Sequence, residues 1–329
     1  MKKYSLAISL ILFVGFLSSC VTIGTFSYDR LQAGDINFPE QVRSVGIVNN
    51  MPPSGPVAEE SPNLLAGDGK AMTESFAQAV AGTDYFDRVV VCDSINLVSL
   101  QTANGLDRFS PEQADSLMQA LDVDMLFSLD RVFIQLKENS FFVPGLSVPV
   151  SVIDGVITPI IQAYIPGRHA PLFSVSKSDS IYWETEPSLN LQQIVSDASE
   201  FAATIPMKHL LPYWEEVQRY FYSGGCVEMR DAAVYVREGD WESAYQLWQT
   251  VYEQKKGTAK LQAAYNLALY HEMQDDFDQA AKYLNEAISG TKEGSAEKNM
   301  MEVYQIQLND LAQKNGKLQM QMRRFDNNF

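Results

Sequence analysis

The chain has 329 residues, 46% of them hydrophobic and 20% charged, which is enough to bury a core and suggests about two domains. Lys and Arg total 25 against 41 Asp and Glu, a net charge of −16. That balance excludes a general nucleic-acid binder, which needs a basic footprint, and adhesion to anionic lipid through a polybasic face.

The N-terminus opens Met1-Lys2-Lys3, and Leu6 to Leu17 is apolar apart from Ser9 and Gly15. Twelve residues are too few for the ~20 that a membrane-crossing helix needs. Behind a basic start they predict a secretory leader over 1–19. Leu17-Ser18-Ser19-Cys20 resembles the lipobox of bacterial lipoproteins, and the resemblance implies cleavage after Ser19 and acylation of Cys20. Two or more acyl chains give stable anchoring where one does not, so the membrane is an expected partner through lipid. Val21 and Thr22 follow. With no Asp there and no acidic run, the expected address is the outer membrane, on its periplasmic face. Cys92 and Cys226 then sit in an oxidising compartment, where they form a disulfide or remain two buried thiols.

Residues 20–43 read as the lipidated cysteine and a tether. Ser44–Asn49 is a short apolar strand, and a loop follows from Met51 to Pro62. A helix over 68–81 places Met72, Phe76, Ala79 and Val80 on one face. Gly67-Asp68-Gly69-Lys70 precedes it, a place for an anion at the helix N-terminus, but without the full phosphate-cradling loop. Arg88–Cys92 is a second strand. Ser110-Pro111-Glu112-Gln113 starts a helix with a cap, a proline at the first position and a capping box. A third strand covers 124–137, and a change of alternation at Asp130-Arg131 predicts a β-bulge. Of two further strand-like stretches, 147–164 carries Pro149 and Pro159, which predict an edge or an irregular pair. The other, 172–183, alternates Ser174, Ser176, Ser178 and Ser180 on a solvated face. A helix over 189–205 and an aromatic-rich helix over 213–222 complete an α/β domain at 44–222, a mixed sheet flanked by helices. At the level of fold this is similar to small envelope domains such as the curli-secretion lipoprotein and the amino-terminal domain of the Tol translocation protein.

Residues 226–313 are all helical and repetitive. Trp241, Ala244, Trp248 and Val251 recur as Phe277, Ala280, Leu284 and Ala287, 36 residues on. This resembles tetratricopeptide repeats, with an added capping helix at 295–313 and a polar tail over 314–329. The repeat register puts Met229, Ala233, Val236 and Arg237 on one inner helix face. On the second it puts Tyr265, Asn266, Leu269, Glu272 and Met273. Tyr265, Asn266, Leu269 and Met273 are the candidate partner-binding residues, an adaptable face for a peptide segment. The competing expectation is that two repeats form no groove and that this face is covered by the α/β domain.

The lipobox, the Val45–Asn49 strand and the segments Asp240–Ala244 and Ala263–Leu269 together resemble a family of uncharacterised Bacteroidales lipoproteins. Its members combine an α/β domain with tetratricopeptide-like repeats, and the resemblance implies architecture and address without a site. His169, His209 and His271 fit no metal-binding spacing, and no nucleophile or phosphate-loop motif occurs. No catalytic residue, metal or cofactor is therefore assigned. The expected function is a lipid-anchored cell-envelope adaptor that binds a protein or peptide and no nucleic acid. The alternative is an envelope hydrolase whose site is assembled in the α/β domain.

Overall fold

The computed structural model describes residues 22–51, 63–92, 108–142, 145, 149–185 and 189–326. The leader expected over 1–19 and Cys20 lie outside them. The chain forms two compact units: the stretch up to Gln32 with Trp214–Gln319, and Ala33–Tyr213 with the stretch from Met320. As expected, a mixed sheet with helices is followed along the chain by an all-helical region.

In the α/β unit, β2 (Ser44–Asn49) pairs in parallel with β4 (Arg88–Cys92) and β5 (Met125–Phe141). β6 (Val150–Tyr164) runs antiparallel to β5. β7 (Phe173–Ser176) and β8 (Asp179–Glu184) share the far edge of β6, and β3 (Leu64–Ala66) pairs with β5. Alternation along β2 and β5 feeds two cores. Val45, Ile47, Phe127 and Leu129 face α1 (Gly69–Ala81) and α3 (Leu191–Thr204) through Phe76, Ile194 and Ala198. Val48 and Leu126 face the opposite side, against Ala114 and Met118 of α2 (Pro111–Leu121). The Ser110 cap, the proline and the capping box of α2 are all present.

The predicted bulge is there: the register with β6 shifts between Leu129 and Arg131. Ser174, Ser176, Ser178 and Ser180 are exposed, as expected of a solvated face. The edge placement of 147–164 is corrected, since β6 is central. Pro159 is tolerated because it falls between two partners. β8 stops pairing at Ile157 and β7 starts at Ile160, so a missing N–H at 159 breaks no ladder on that side.

Three further expectations are corrected. Within the expected tether, Ile23–Gln32 is a strand, β1. The segment expected as an aromatic-rich helix is a strand, β9 (Tyr213–Tyr222), and the two form a two-stranded sheet. Each turns every second residue inward: Gly24, Phe26, Tyr28 and Arg30 in β1, and Val217, Arg219 and Phe221 in β9. Arginines at inward positions conceal that alternation. Pairing between segments some 190 residues apart is not a local signal. Finally, the expected polar tail is helical: α9 runs from Ala296 to Asp326. Its end is held by buried polar side chains. Gln321 bonds the Gly34 N–H and the Gly34 and Ile36 carbonyls at 2.8–3.1 Å. Arg324 donates to the Tyr85 carbonyl at 2.9 Å, with its guanidinium 3.9 Å from the Tyr85 ring centre.

The other helices are α4 (Met207–Leu210) in the α/β unit, and α5 (Val227–Glu238), α6 (Trp241–Gln254), α7 (Thr258–Met273) and α8 (Phe277–Gly290). Gly239, at φ 78°, ends α5, and Asp240 caps α6 through the Ser243 N–H. Thirty-six residues on, Asp276 caps α8 through the Gln279 N–H. Ala244, Trp248 and Val251 are fully buried, and so are Ala280, Leu284 and Ala287. The 36-residue repeat therefore records the same three core positions used twice. Ala244→Leu and Ala280→Leu should each overpack this core and destabilise by about 1–3 kcal/mol. Denaturant titration of each variant checks this, and two unchanged midpoints would refute close helix approach at these alanines.

Candidate functional site

The candidate face on α7 is not open. Tyr265, Asn266 and Leu269 are buried and Met273 is half-buried. Tyr265 and Asn266 are covered by the chain's own β9. The Tyr265 ring meets Tyr222 edge-on at 5.2 Å and Tyr304 of α9 at 5.3 Å. The Asn266 carboxamide accepts the Tyr222 N–H at 2.9 Å and donates to the Tyr222 carbonyl at 2.8 Å. One amide side chain thus meets both main-chain groups of a strand residue, as a neighbouring strand would. The helices do hold an extended segment here, but it belongs to the same chain, so these residues are corrected from a partner surface to an internal contact. The sequence signal for it is the inward alternation of β9.

Beside that clamp lies a buried charge network. Glu272, 1% exposed, receives Arg219 Nη2 at 2.9 Å and Nε at 3.0 Å. It also accepts the Tyr28 hydroxyl at 2.6 Å. Burial lowers the Arg219 pKa, but the adjacent Glu272 carboxylate outweighs it and the net shift is upward. Burial, and then the Glu272 charge, pushes the Tyr28 phenol well up. Arg30 of β1 donates to the Glu272 carbonyl at 3.2 Å, pairs with Asp275 and lies over the Phe277 ring at 5.3 Å. Phe26 packs on Trp241 at 4.6 Å and on Phe221 at 5.9 Å. The ribbon is therefore bound to the helices by two arginines and an aromatic anchor. Charged and aromatic groups of the ribbon are thus interior.

In the α/β unit, the end of the parallel strands where open sheets usually place ligands carries Asp130, the bulge residue. It is 1% exposed. Asn50 Nδ2 donates to it at 3.0 Å, Gln162 Nε2 at 2.7 Å, and the Ser128 hydroxyl also donates. Tyr164 donates to Gln162 at 3.0 Å, and burial, then the Asp130 charge, moves its pKa up to about 12. This network ties β2, β5 and β6 together, and its carboxylate is sealed from substrate. At Gly67–Lys70 the helix N-terminus is occupied by the chain's own Asp68, which accepts the Lys70 and Ala71 N–H groups at 2.8 and 3.1 Å. Cys92, in β4, and Cys226, before α5, are both half-buried thiols, with no disulfide among the described residues. Also among the described residues, no group of three or more His, Cys, Asp or Glu could hold a metal. No described helix is long and apolar enough to cross a membrane.

No curated protein matches the chain. Among solved structures, a PelC dodecamer from Paraburkholderia phytofirmans is 9% identical, with 54% of this chain and 95% of that chain covered and a TM-score of 0.23. The hypothetical protein CT253 from Chlamydia trachomatis is 12% identical, with 42% and 72% covered and a TM-score of 0.24. Residues 230–310 match a domain of unknown function, DUF6340. A second domain of unknown function, DUF8603, matches residues 42–222, more than half of the chain, and the chain belongs to that family.

Proposed function

We propose that this protein is a lipid-anchored adaptor of the bacterial cell envelope, built on tetratricopeptide-like helical hairpins and held at the outer membrane through Cys20. The observation that carries the anchor is Leu17-Ser18-Ser19-Cys20 behind a basic and then apolar leader. The adaptor role is supported by helical hairpins that hold an extended strand through a carboxamide and an aromatic contact. β1 begins at Ile23, three residues after Cys20. At about 3.3 Å per residue, an acylated Cys20 keeps the helical unit within about 10 Å of the lipid surface.

Intact-mass analysis of membrane-extracted protein should find an acylated N-terminal cysteine, and Cys20→Ala should leave the membrane fraction. Undiminished membrane recovery of Cys20→Ala overturns the anchor. In-cell crosslinking of the anchored wild type should recover a discrete envelope protein. Recovery of no partner overturns the adaptor role.

A further inference from the structure

In the helical unit, a groove runs between β9 and α9. One cavity of about 260 Å³ is lined by Arg219, Tyr220, Tyr265, Met300, Val303 and Tyr304. The next, about 280 Å³, is lined by Glu215, Glu216, Gln307, Asp310 and Lys314. Gln218, Arg219 and Gln307 line both, so the two are continuous.

The main chain of β9 along this groove is an open sheet edge. Main-chain groups of a strand point alternately to its two edges. The Ser223 N–H bonds the Thr22 carbonyl, on the β1 side, at 2.9 Å, and Tyr222 points the other way, to Asn266. Tyr220, Gln218 and Glu216 share the edge of Tyr222. Among the described residues the sheet has β1 and β9 alone. Asn266 therefore satisfies the last rung of that edge, and Arg219 Nη1 takes one lone pair of the Gln218 carbonyl at 3.1 Å; the remaining main-chain groups of Tyr220, Gln218 and Glu216 face the groove. From Glu216 to Tyr220 that edge is about 13 Å long.

The walls state what would fit. Val303 is 55% exposed on α9, beside Met300 and Tyr304, so one end is apolar. At the other end Arg219 is neutralised by Glu272 and Asp310 by Lys314, 2.7 Å away. Glu215 and Glu216 remain as exposed negative charge.

We propose that this groove takes an extended peptide segment of a partner protein, added to β9 as a third strand. An apolar side chain of the segment lies over Val303 and a basic one beside Glu215 and Glu216. This rests on the adaptor reading and moves its binding site from the covered face of α7 to the edge of β9. Main-chain hydrogen bonds to the edge give affinity and the two ends give specificity.

The test selects a phage-displayed library of random dodecapeptides on the full-length protein and measures the selected peptides by fluorescence polarisation. Selected peptides should pair apolar with Lys or Arg residues. Methylating their alternate backbone nitrogens should weaken binding at least tenfold. Val303→Glu, at an exposed site, and Gln218→Pro, on an edge where proline is tolerated, should each do the same. Glu215→Lys/Glu216→Lys should weaken the basic peptides alone. Selection of no peptide, or of peptides indifferent to N-methylation and to all three variants, overturns the groove. An envelope protein crosslinked equally well to wild type and to Val303→Glu would overturn the groove while leaving the adaptor reading standing.

Discussion

Glu272→Gln is expected to destabilise the helical unit by about 3–5 kcal/mol, the range for breaking one side of a buried ion pair. The substitution is nearly isosteric, so the loss is electrostatic and not a cavity. It leaves the Arg219 guanidinium buried, with the Gln218 carbonyl at 3.1 Å as its other acceptor, and weakens the acceptor of Tyr28. Both strands of the ribbon converge on this carboxylate, so β1 and β9 should loosen together. Arg219→Met/Glu272→Leu should recover most of the loss, because it removes both charges and keeps apolar volume. Two units do not guarantee a single unfolding transition. The measurement is therefore hydrogen exchange of α7 peptides, which reports the helical unit by itself. An unchanged exchange rate in Glu272→Gln would show that the pair adds nothing to the fold.

Asn266→Leu is expected to cost about 2–6 kcal/mol. The new side chain fills similar space but leaves the buried N–H and carbonyl of Tyr222 unpaired, and each orphaned group costs about 1–3 kcal/mol. The Tyr222 amide should exchange faster while amides of the α/β unit keep their rates. Asn285→Leu is the control: Asn285 is an exposed helical asparagine whose partner, Gln305, also lies at the surface, and surface changes stay within about 0.5 kcal/mol. Equal stability of the two variants would remove Asn266 from its role as the clamp on β9.

The elements that were legible in the sequence are those whose signal is local. The capping box at Ser110, the bulge at Asp130, the serine face and the paired positions Ala244/Ala280 and Trp248/Leu284 all follow from neighbours within a few turns or residues. The candidate site was half legible. Repeat register singled out Tyr265, Asn266 and Leu269 as an inner face, and they are one. Their occupant was not legible, because Glu215, Glu216, Gln218 and Arg219 interrupt the strand-favouring aromatics of β9 and Arg219 stands at an inward position.

Read along the chain alone, the residues specify an acidic, two-part protein with an α/β region, helical segments repeating at 36 residues and, at its start, an apolar run ahead of Cys20. Periodicity, caps and turns set these at short range. The fold alone reveals that the residues after Thr22 form a strand, that this strand pairs with β9, and that Gln321 and Arg324 lie buried at the end of α9. Each depends on a partner some 190 residues or more away, and each places a polar or charged side chain inside. Polar residues read as surface until the group that neutralises or hydrogen-bonds them is known, and folding alone brings Arg219 to Glu272 and the Tyr222 main chain to Asn266.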